Sequence, residues 1–513
     1  MPMTLDDIPR RNALRFPHRP ALRMGDRSAT WAELDARVDR LAGAMRAQGL
    51  RQGDRVAVLL GNCPEYLEIY FACARSGCIA VPVNYRLTAA DALVLLRHAR
   101  PALLISSVEY AATVDVLRGA LGDSIVVWNV AKEGLRDARS YEAIIAAGDA
   151  RPRESSATET DCFAIFYTSG TTGLPKGAMV SHLNLVANGY NQLIADAARA
   201  DDVNLVATPL YHMGAVFMAV TYMMIGAPQI ILPQFTPQAW LSALQRERAT
   251  VSLLISTMIN AVLNDPQADR ADMSSLRLVF YGGGPMPPAV LKRAILRWNC
   301  GFTQGYGLTE TLEATFLVAA DHVLDDAPRR LERLASAGRE AVGAEIRIVD
   351  DKGRDCETGA IGEVLVRSKS VIAGYWDAPD ETAAAIRDGW FHTGDLGYLD
   401  EERYLFLVDR KKDMVISGGV NIYTKEIEAH LFAHPAVAEA AVFGLPDDHW
   451  GEIVCAAVVM KPDMTLDEPA IVAHCREGLA AFKKPKRVFF LDELPKNPSG
   501  KVLKRELRKA LQG

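Results

Sequence analysis

Short apolar, β-favouring runs separated by longer helical patterns constrain this chain more than any other feature. The runs RVAVLL (55–60), ALLIS (102–106), SIVVW (124–128), QIILP (229–233) and VSLLIS (251–256) alternate with stretches such as TWAELDARVDRLAGAMRAQG (30–49). Such runs suit strands covered by helices on both faces, so the alternation predicts α/β layers on parallel sheets. After about residue 340 glycine and acidic turns become denser in IRIVDDKGRDCETGAIGEVLVRS, which predicts β-hairpins and hence a β-rich subdomain. At 513 residues and 49% apolar composition the chain can bury several cores. A boundary is predicted at Asp409 to Lys412, where the charged run DRKKD interrupts YLFLV (404–408). The large N-terminal part then covers residues 1–409 and a small α+β C-terminal domain covers 410–513. Strands are expected there at 438–446 and 452–460, with a helix near 467–481.

Charge narrows the function classes. A net charge of −6 gives no global nucleic-acid signal. The ten basic residues against three acidic ones between Phe482 and Lys509 read as a solvated face, because aromatic interleaving is thin, with Phe482, Phe489 and Phe490 fitting a strand equally well. The eight cysteines lack C-x-x-C spacing, and the start MPMTLDDIPRRNALRF lacks a signal-peptide pattern. A reduced cytoplasmic setting is expected. The apolar run AVFMAVTYMMIGA (215–227) is too short to span a bilayer and reads as a buried helix beside a pocket.

The segment TSGTTGLPKG (168–177) follows the apolar run CFAIFYT (162–168), which places it in the loop leaving a buried strand. Glycine amides at Gly170, Gly173 and Gly177, the hydroxyls of Ser169, Thr171 and Thr172, and the point charge of Lys176 suit phosphate. The spacing differs from G-x-x-x-x-G-K-[ST], so the nucleotide apparatus is of another kind. A flexible linker is the plain alternative for this string alone. QGYGLTE (304–310) offers an aromatic ring for a purine, a hydroxyl at Thr309 and an oxygen ligand for Mg²⁺ at Glu310, or else a helix start capped by Thr309. Asp395 follows a Thr-Gly turn, and Lys501 follows Pro498, Ser499 and Gly500 in a turn that projects one side chain.

Together with PLYHMG (209–214), YGGGPMP (281–287), WFHTGD (390–395), DRKKDMVISGGVNIYTKEIE (409–428) and PKNPSGKVLKREL (495–507), these segments resemble the adenylate-forming superfamily of acyl- and aryl-CoA synthetases over nearly the whole chain. The resemblance implies an AMP-forming carboxylate–CoA ligase using ATP, Mg²⁺ and coenzyme A on a medium-chain, alicyclic or aromatic acid. The alternatives are an acyl-AMP ligase loading a carrier-protein thiol and a non-ligase adenylate-binding protein. A homodimer is compatible with either ligase.

It also implies a nucleotide site of Thr168, Ser169, Gly170, Thr171, Thr172, Lys176, Gly282, Gly283, Gly284, Gln304, Gly305, Tyr306, Gly307, Thr309, Asp395 and Arg410. Asp395 would accept the ribose hydroxyls. Lys412 would be the hinge of a mobile C-terminal domain that presents Lys501 for adenylation and Gly418 and Gly419 for thioester formation. His212, a plain core histidine on residue grounds, would stand between the acyl pocket and the CoA channel. The remaining pocket positions are Gly214, Val216, Phe217, Gly283, Tyr306, Leu312 and Glu313, and catalysis would fall to Lys501, Thr309, Glu310 and His212. Leu312 and Glu313 depart from the small residues usual there. A carboxylate at 313 must point to a basic partner or solvent outside the pocket, or face a polar substrate group.

Overall fold

The computed structural model describes residues 3–122, 125–130, 135, 138–148, 157–168, 175–284, 286–324, 328–496 and 502–512. They form two compact units, Met1–Ile346 with Val366–Phe391, and Arg347–Leu365 with His392–Gly513.

The first unit is built on two large sheets. One runs Arg139–Ser140, Val126–Asn129, Leu103–Ser106, Arg55–Leu59, Ile79–Pro82, Cys162–Thr168 and Lys176–Ser181, parallel except for its last pair. The other runs Arg339–Glu340, Leu312–Leu317, Gly301–Leu308, Leu278–Gly282, Val251–Leu253, Asn204–Val206, Gln229–Ile231, Pro20–Met24 and Arg27–Thr30, with antiparallel pairs only at its two edges. All five expected strands are present. VSLLIS ends early, at Leu253, because the helix Ser256–Leu263 begins within it.

One core joins both sheets to the helices Trp31–Ala47, Pro64–Ser76, His182–Ala195 and Met213–Met224. The first helix starts where Thr30 accepts from the Glu33 amide while Glu33 reaches back to the Thr30 amide, a reciprocal cap. Met213–Met224 is apolar all round and almost wholly buried, as its sequence predicts. Its two polar side chains are satisfied inside, Thr221 donating to Gln192 and Tyr222 to Asp196. No helix among the described residues is long and apolar enough to cross a membrane.

In the second unit, Val420–Ile422, Val415–Ser417, Gly451–Met460 and Val437–Asp447 form a sheet joined by Arg487–Phe490 alongside Gly451–Met460. The helices Thr424–Phe432 and Glu468–Gly478 contribute Ile427, Leu431 and Ile471 to its core. Much of the tail's positive charge is paired locally: Lys483 with Glu426, Lys496 with Glu439 and Lys504 with Glu428. One expectation fails here, since Phe482 lies outside the strand and is 50% exposed.

Candidate active site

Cys162–Thr168 is buried because Ile79–Pro82 flanks it on one side and Lys176–Ser181 returns antiparallel on the other. Thr168 and Lys176 are partners in that register, so they stand at the two feet of the glycine-rich loop. Ser169, Gly170, Thr171 and Thr172 lie outside the described residues.

Thr168 Oγ1 and Tyr375 Oη both donate to Glu310 Oε1, at 3.4 and 3.0 Å. The Lys176 ammonium sits 5.2 Å from the centre of the Tyr375 ring, a cation–π contact. Burial, with the Glu310 charge adding to it, raises the Tyr375 phenol well above its ordinary value, so it remains a donor. The backbone fixes this group: the Trp376 amide donates to Gly177 O at 2.8 Å and the Ile372 amide to Glu310 O at 2.9 Å. A Cβ at Gly177 would lie 2.7 Å from Ile165 and 3.3 Å from Trp376, so glycine is what lets the 374–376 segment approach. Sequence reasoning missed Tyr375. Its signal was a glycine followed by two aromatics, Gly374, Tyr375 and Trp376.

QGYGLTE is not a helix start. Gly301–Leu308 and Leu312–Leu317 form an antiparallel hairpin, and Thr311 rather than Thr309 caps its turn by accepting from the Leu308 amide. Thr309 and Glu310 therefore occupy the hairpin tip. Leu312 takes a left-handed backbone, φ +50°, unusual for a branched residue.

Gly282 and Gly305 are register partners on adjacent strands, and a Cβ on Gly282 would lie 2.7 Å from Gly305 O. The space above Gly305 is filled by Phe280 and the Glu313 carboxyl. Phe280 meets Phe217 edge-on at 5.8 Å and Phe316 at 6.4 Å. Gly283 is left-handed at φ +76°, and a Cβ at Gly284 would meet open space. Tyr306 is buried and Gln304 half-buried on the same strand.

His212 precedes Met213–Met224 and lies 4.3 Å from Tyr211, ring to ring. Burial pushes its imidazole down to about 4, and Arg86 acts in the same direction. The ring is neutral at pH 7. Gly214 leaves its nearest neighbours, Leu253 and Phe217, 3.8 and 4.0 Å from where a Cβ would stand. Val216 is fully buried in the core.

Among the described residues Glu313 has no salt-bridge partner, and it is not solvated. It is buried, its amide donates to Asn188 Oδ1 at 2.9 Å, and its Oε2 has no hydrogen-bond partner among the described residues. Burial, with a smaller push from Asp196, raises its carboxyl to about 8. Asp196 itself is raised to about 7 by burial, against hydrogen bonds from Tyr222 and Gln192. A carboxyl raised in the folded state stabilises fully below its unfolded value and loses that contribution as pH rises through the folded value. Glu313→Gln is therefore expected to flatten the fall in melting temperature between about pH 5 and pH 8. Parallel melting curves for the two proteins would show that Glu313 does not titrate in this way.

In the second unit, Asp395 and Arg410 face each other across antiparallel strands, with Arg410 Nε 3.1 Å from Asp395 Oδ1. Thr393 accepts from the Asp395 amide and donates to Val364 O, fixing the turn before it. Lys412 follows in a turn. Burial lowers its ammonium below the ordinary value, and its carbonyl accepts from Arg508. Gly418 and Gly419, at φ +57° and +79°, are the two central residues of the hairpin whose last pair is Ser417 with Val420. Two positive φ values give the tight I′ geometry that matches strand twist. Lys501 lies outside the described residues, although Lys496 and Val502 pair on either side of its segment.

The model of the AMP-binding enzyme family matches residues 9–376, and that of the AMP-binding enzyme C-terminal domain matches residues 426–501. The chain is 38% identical over 506 residues to a feruloyl-CoA synthase of Amycolatopsis sp, covering 98% of each. It is 38% identical over 509 residues to an indoleacetate–CoA ligase of Aromatoleum aromaticum, covering 99% of this chain and 98% of that one. ATP-bound MatB from Rhodopseudomonas palustris superimposes with a TM-score of 0.88 at 31% identity, over 99% of both chains. The chain belongs to the AMP-binding enzyme family and is an AMP-forming acyl-CoA synthetase that uses ATP and coenzyme A.

Proposed function

We propose that this enzyme activates an aromatic carboxylic acid. The observation that carries the reading is the set of aromatic side chains, Phe217, Phe280 and Phe316, that pack edge-on beside Gly305. A flat ring packs against such side chains better than a flexible chain does. The similarity to synthetases of feruloyl and indoleacetyl thioesters supports the same class.

In the first half-reaction a carboxylate oxygen attacks the α-phosphorus of ATP in line as the bond to pyrophosphate breaks. In the second the CoA thiol attacks the acyl carbonyl, its proton is lost, and the bond to AMP breaks. Thr168, the loop residues Ser169, Gly170, Thr171 and Thr172, and Lys176 hold the phosphates through amides, hydroxyls and one point charge. Thr309 donates to the α-phosphate, and Tyr306 lies against the adenine, lined by Gly282, Gly283, Gly284, Gln304, Gly305 and Gly307. Asp395 takes the ribose hydroxyls with Arg410 beside it, since a carboxylate matches two adjacent donors. Glu310 fits Mg²⁺, because both hydrogen bonds it receives from described residues end on Oε1. Bound there, the cation would offset the charge of the phosphates. His212 forms the wall between acid and thiol. A cytoplasmic location is supported by eight cysteines that are all free.

Residues 410–513 are proposed to turn as a body on residues 1–409, with Lys412 as the hinge that exchanges Lys501 for the Gly418–Gly419 turn. Lys412→Pro fixes φ and is expected to hold one arrangement, slowing one half-reaction about tenfold or more relative to the other. Equal effects on both half-reactions would place the hinge elsewhere.

The test of substrate class is a panel of aromatic, alicyclic and linear acids, assayed for pyrophosphate and thioester with and without CoA. Aromatic acids should give CoA-dependent thioester at the highest kcat/KM. Pyrophosphate release without a CoA thioester would point to a carrier thiol, and no release from any aromatic acid would overturn the substrate class.

A further inference from the structure

We propose that Glu313 determines specificity within the acyl pocket, its unpaired carboxyl oxygen hydrogen-bonding an uncharged hydroxyl or ring N–H at the end of the aromatic acid remote from its carboxylate. This rests on the aromatic-acid reading above and names the substrate class more closely.

The geometry around Gly305 carries it. Glu313 leans over Gly305 from the neighbouring strand, into the space a side chain there would occupy, beside Phe280. Phe217 and Phe316 flank Phe280, so the carboxyl is a polar point in an aromatic wall. Buried polar atoms nearly always find partners, and Glu313 Oε2 has none among the described residues. A second buried atom without a partner belongs to the residue that already holds Glu313: Asn188 accepts the Glu313 amide through Oδ1, while its Nδ2 is unpaired. A hydroxyl is both donor and acceptor, and so suits an oxygen and an amide nitrogen left unsatisfied in one buried neighbourhood. A carboxyl raised to about 8 is mostly neutral at pH 7, and offers an O–H as well as a lone pair. A second carboxylate on the substrate would be disfavoured, since desolvating it beside Glu313 and Asp196 is costly and the nearby Arg277 is already paired with Asp202.

The experiment compares two aromatic acids that differ only in a ring hydroxyl para to the acid-bearing chain, using the full-length wild type, Glu313→Leu and Glu313→Gln. The wild type is expected to favour the hydroxylated acid by about 10- to 100-fold in kcat/KM, because a site built to bond a hydroxyl rejects its absence. Glu313→Leu should bring that ratio to about 1, with the loss appearing mainly in KM for the hydroxylated acid, while Glu313→Gln, which keeps a donor and an acceptor, should retain most of it. An unchanged ratio in the leucine protein would overturn the proposal. Should that protein fail to fold, the wild-type ratio decides alone, and a value near 1 overturns it. If the wild type uses aromatic acids without this preference, only the role of Glu313 fails. If it uses no aromatic acid, the substrate class fails and this inference fails with it.

Discussion

Replacing Lys501 with alanine is expected to slow acyl-adenylate formation by about 100- to 1,000-fold while leaving thioester formation from supplied acyl-adenylate near the parent rate. The asymmetry follows from where charge is concentrated. In the first half-reaction a carboxylate anion must approach a polyanionic triphosphate, and a preorganised ammonium lowers that barrier as the two come together. In the second the nucleophile is a thiol and the leaving group a phosphate monoester already bound, so the same lysine has no comparable task. The check is pyrophosphate release for the first step and thioester appearance from synthetic acyl-adenylate for the second. Equal losses in both would remove Lys501 from the adenylation step.

Parts of this site were legible in sequence because local physics writes them locally. The strand Cys162–Thr168 announces itself as an apolar run before a glycine-rich loop, since a strand with both faces buried needs no polar face. Gly418 and Gly419 owe their place in a two-residue turn to equally local physics, as both central positions require positive φ. The hairpin at Thr309 was harder. A glycine, then Thr and Glu before an apolar stretch, also describes a capped helix, and only pairing with Leu312–Leu317 decides between the two.

What could not be read is long-range pairing. The Tyr375 contact with Glu310 spans 65 residues and Asn188 with Glu313 spans 125, and neither partner carries a local pattern that points to the other. The sequence did pose the right question at Glu313: a carboxyl there must be paired, solvated or turned inward. Its burial, with an Oε2 that has no partner among the described residues, leaves neither the paired nor the solvated position. Packing alone could give that answer, because the space it enters exists only where Gly305 lacks a side chain.

Glu310→Gln is the second substitution expected to act strongly, lowering the adenylation rate on the order of 100-fold. Glutamine has the same shape, and its carbonyl oxygen can still accept from Thr168 and Tyr375, so the hairpin tip should stay anchored. What it lacks is the negative charge that strengthens an oxygen ligand's hold on a hard divalent cation. Activity should therefore demand more Mg²⁺. The rise in melting temperature produced by Mg-ATP should also shrink, while the ligand-free melting temperature stays close to that of the parent. Tyr375→Phe gives the contrast. It removes one charge-assisted hydrogen bond to Glu310 and leaves the charge, so its loss should be about tenfold, with the Mg²⁺ dependence nearly unmoved. The readings separate cleanly: a Glu310→Gln protein that melts early but keeps the parent's Mg²⁺ requirement would make Glu310 an anchor of the hairpin and not a cation ligand.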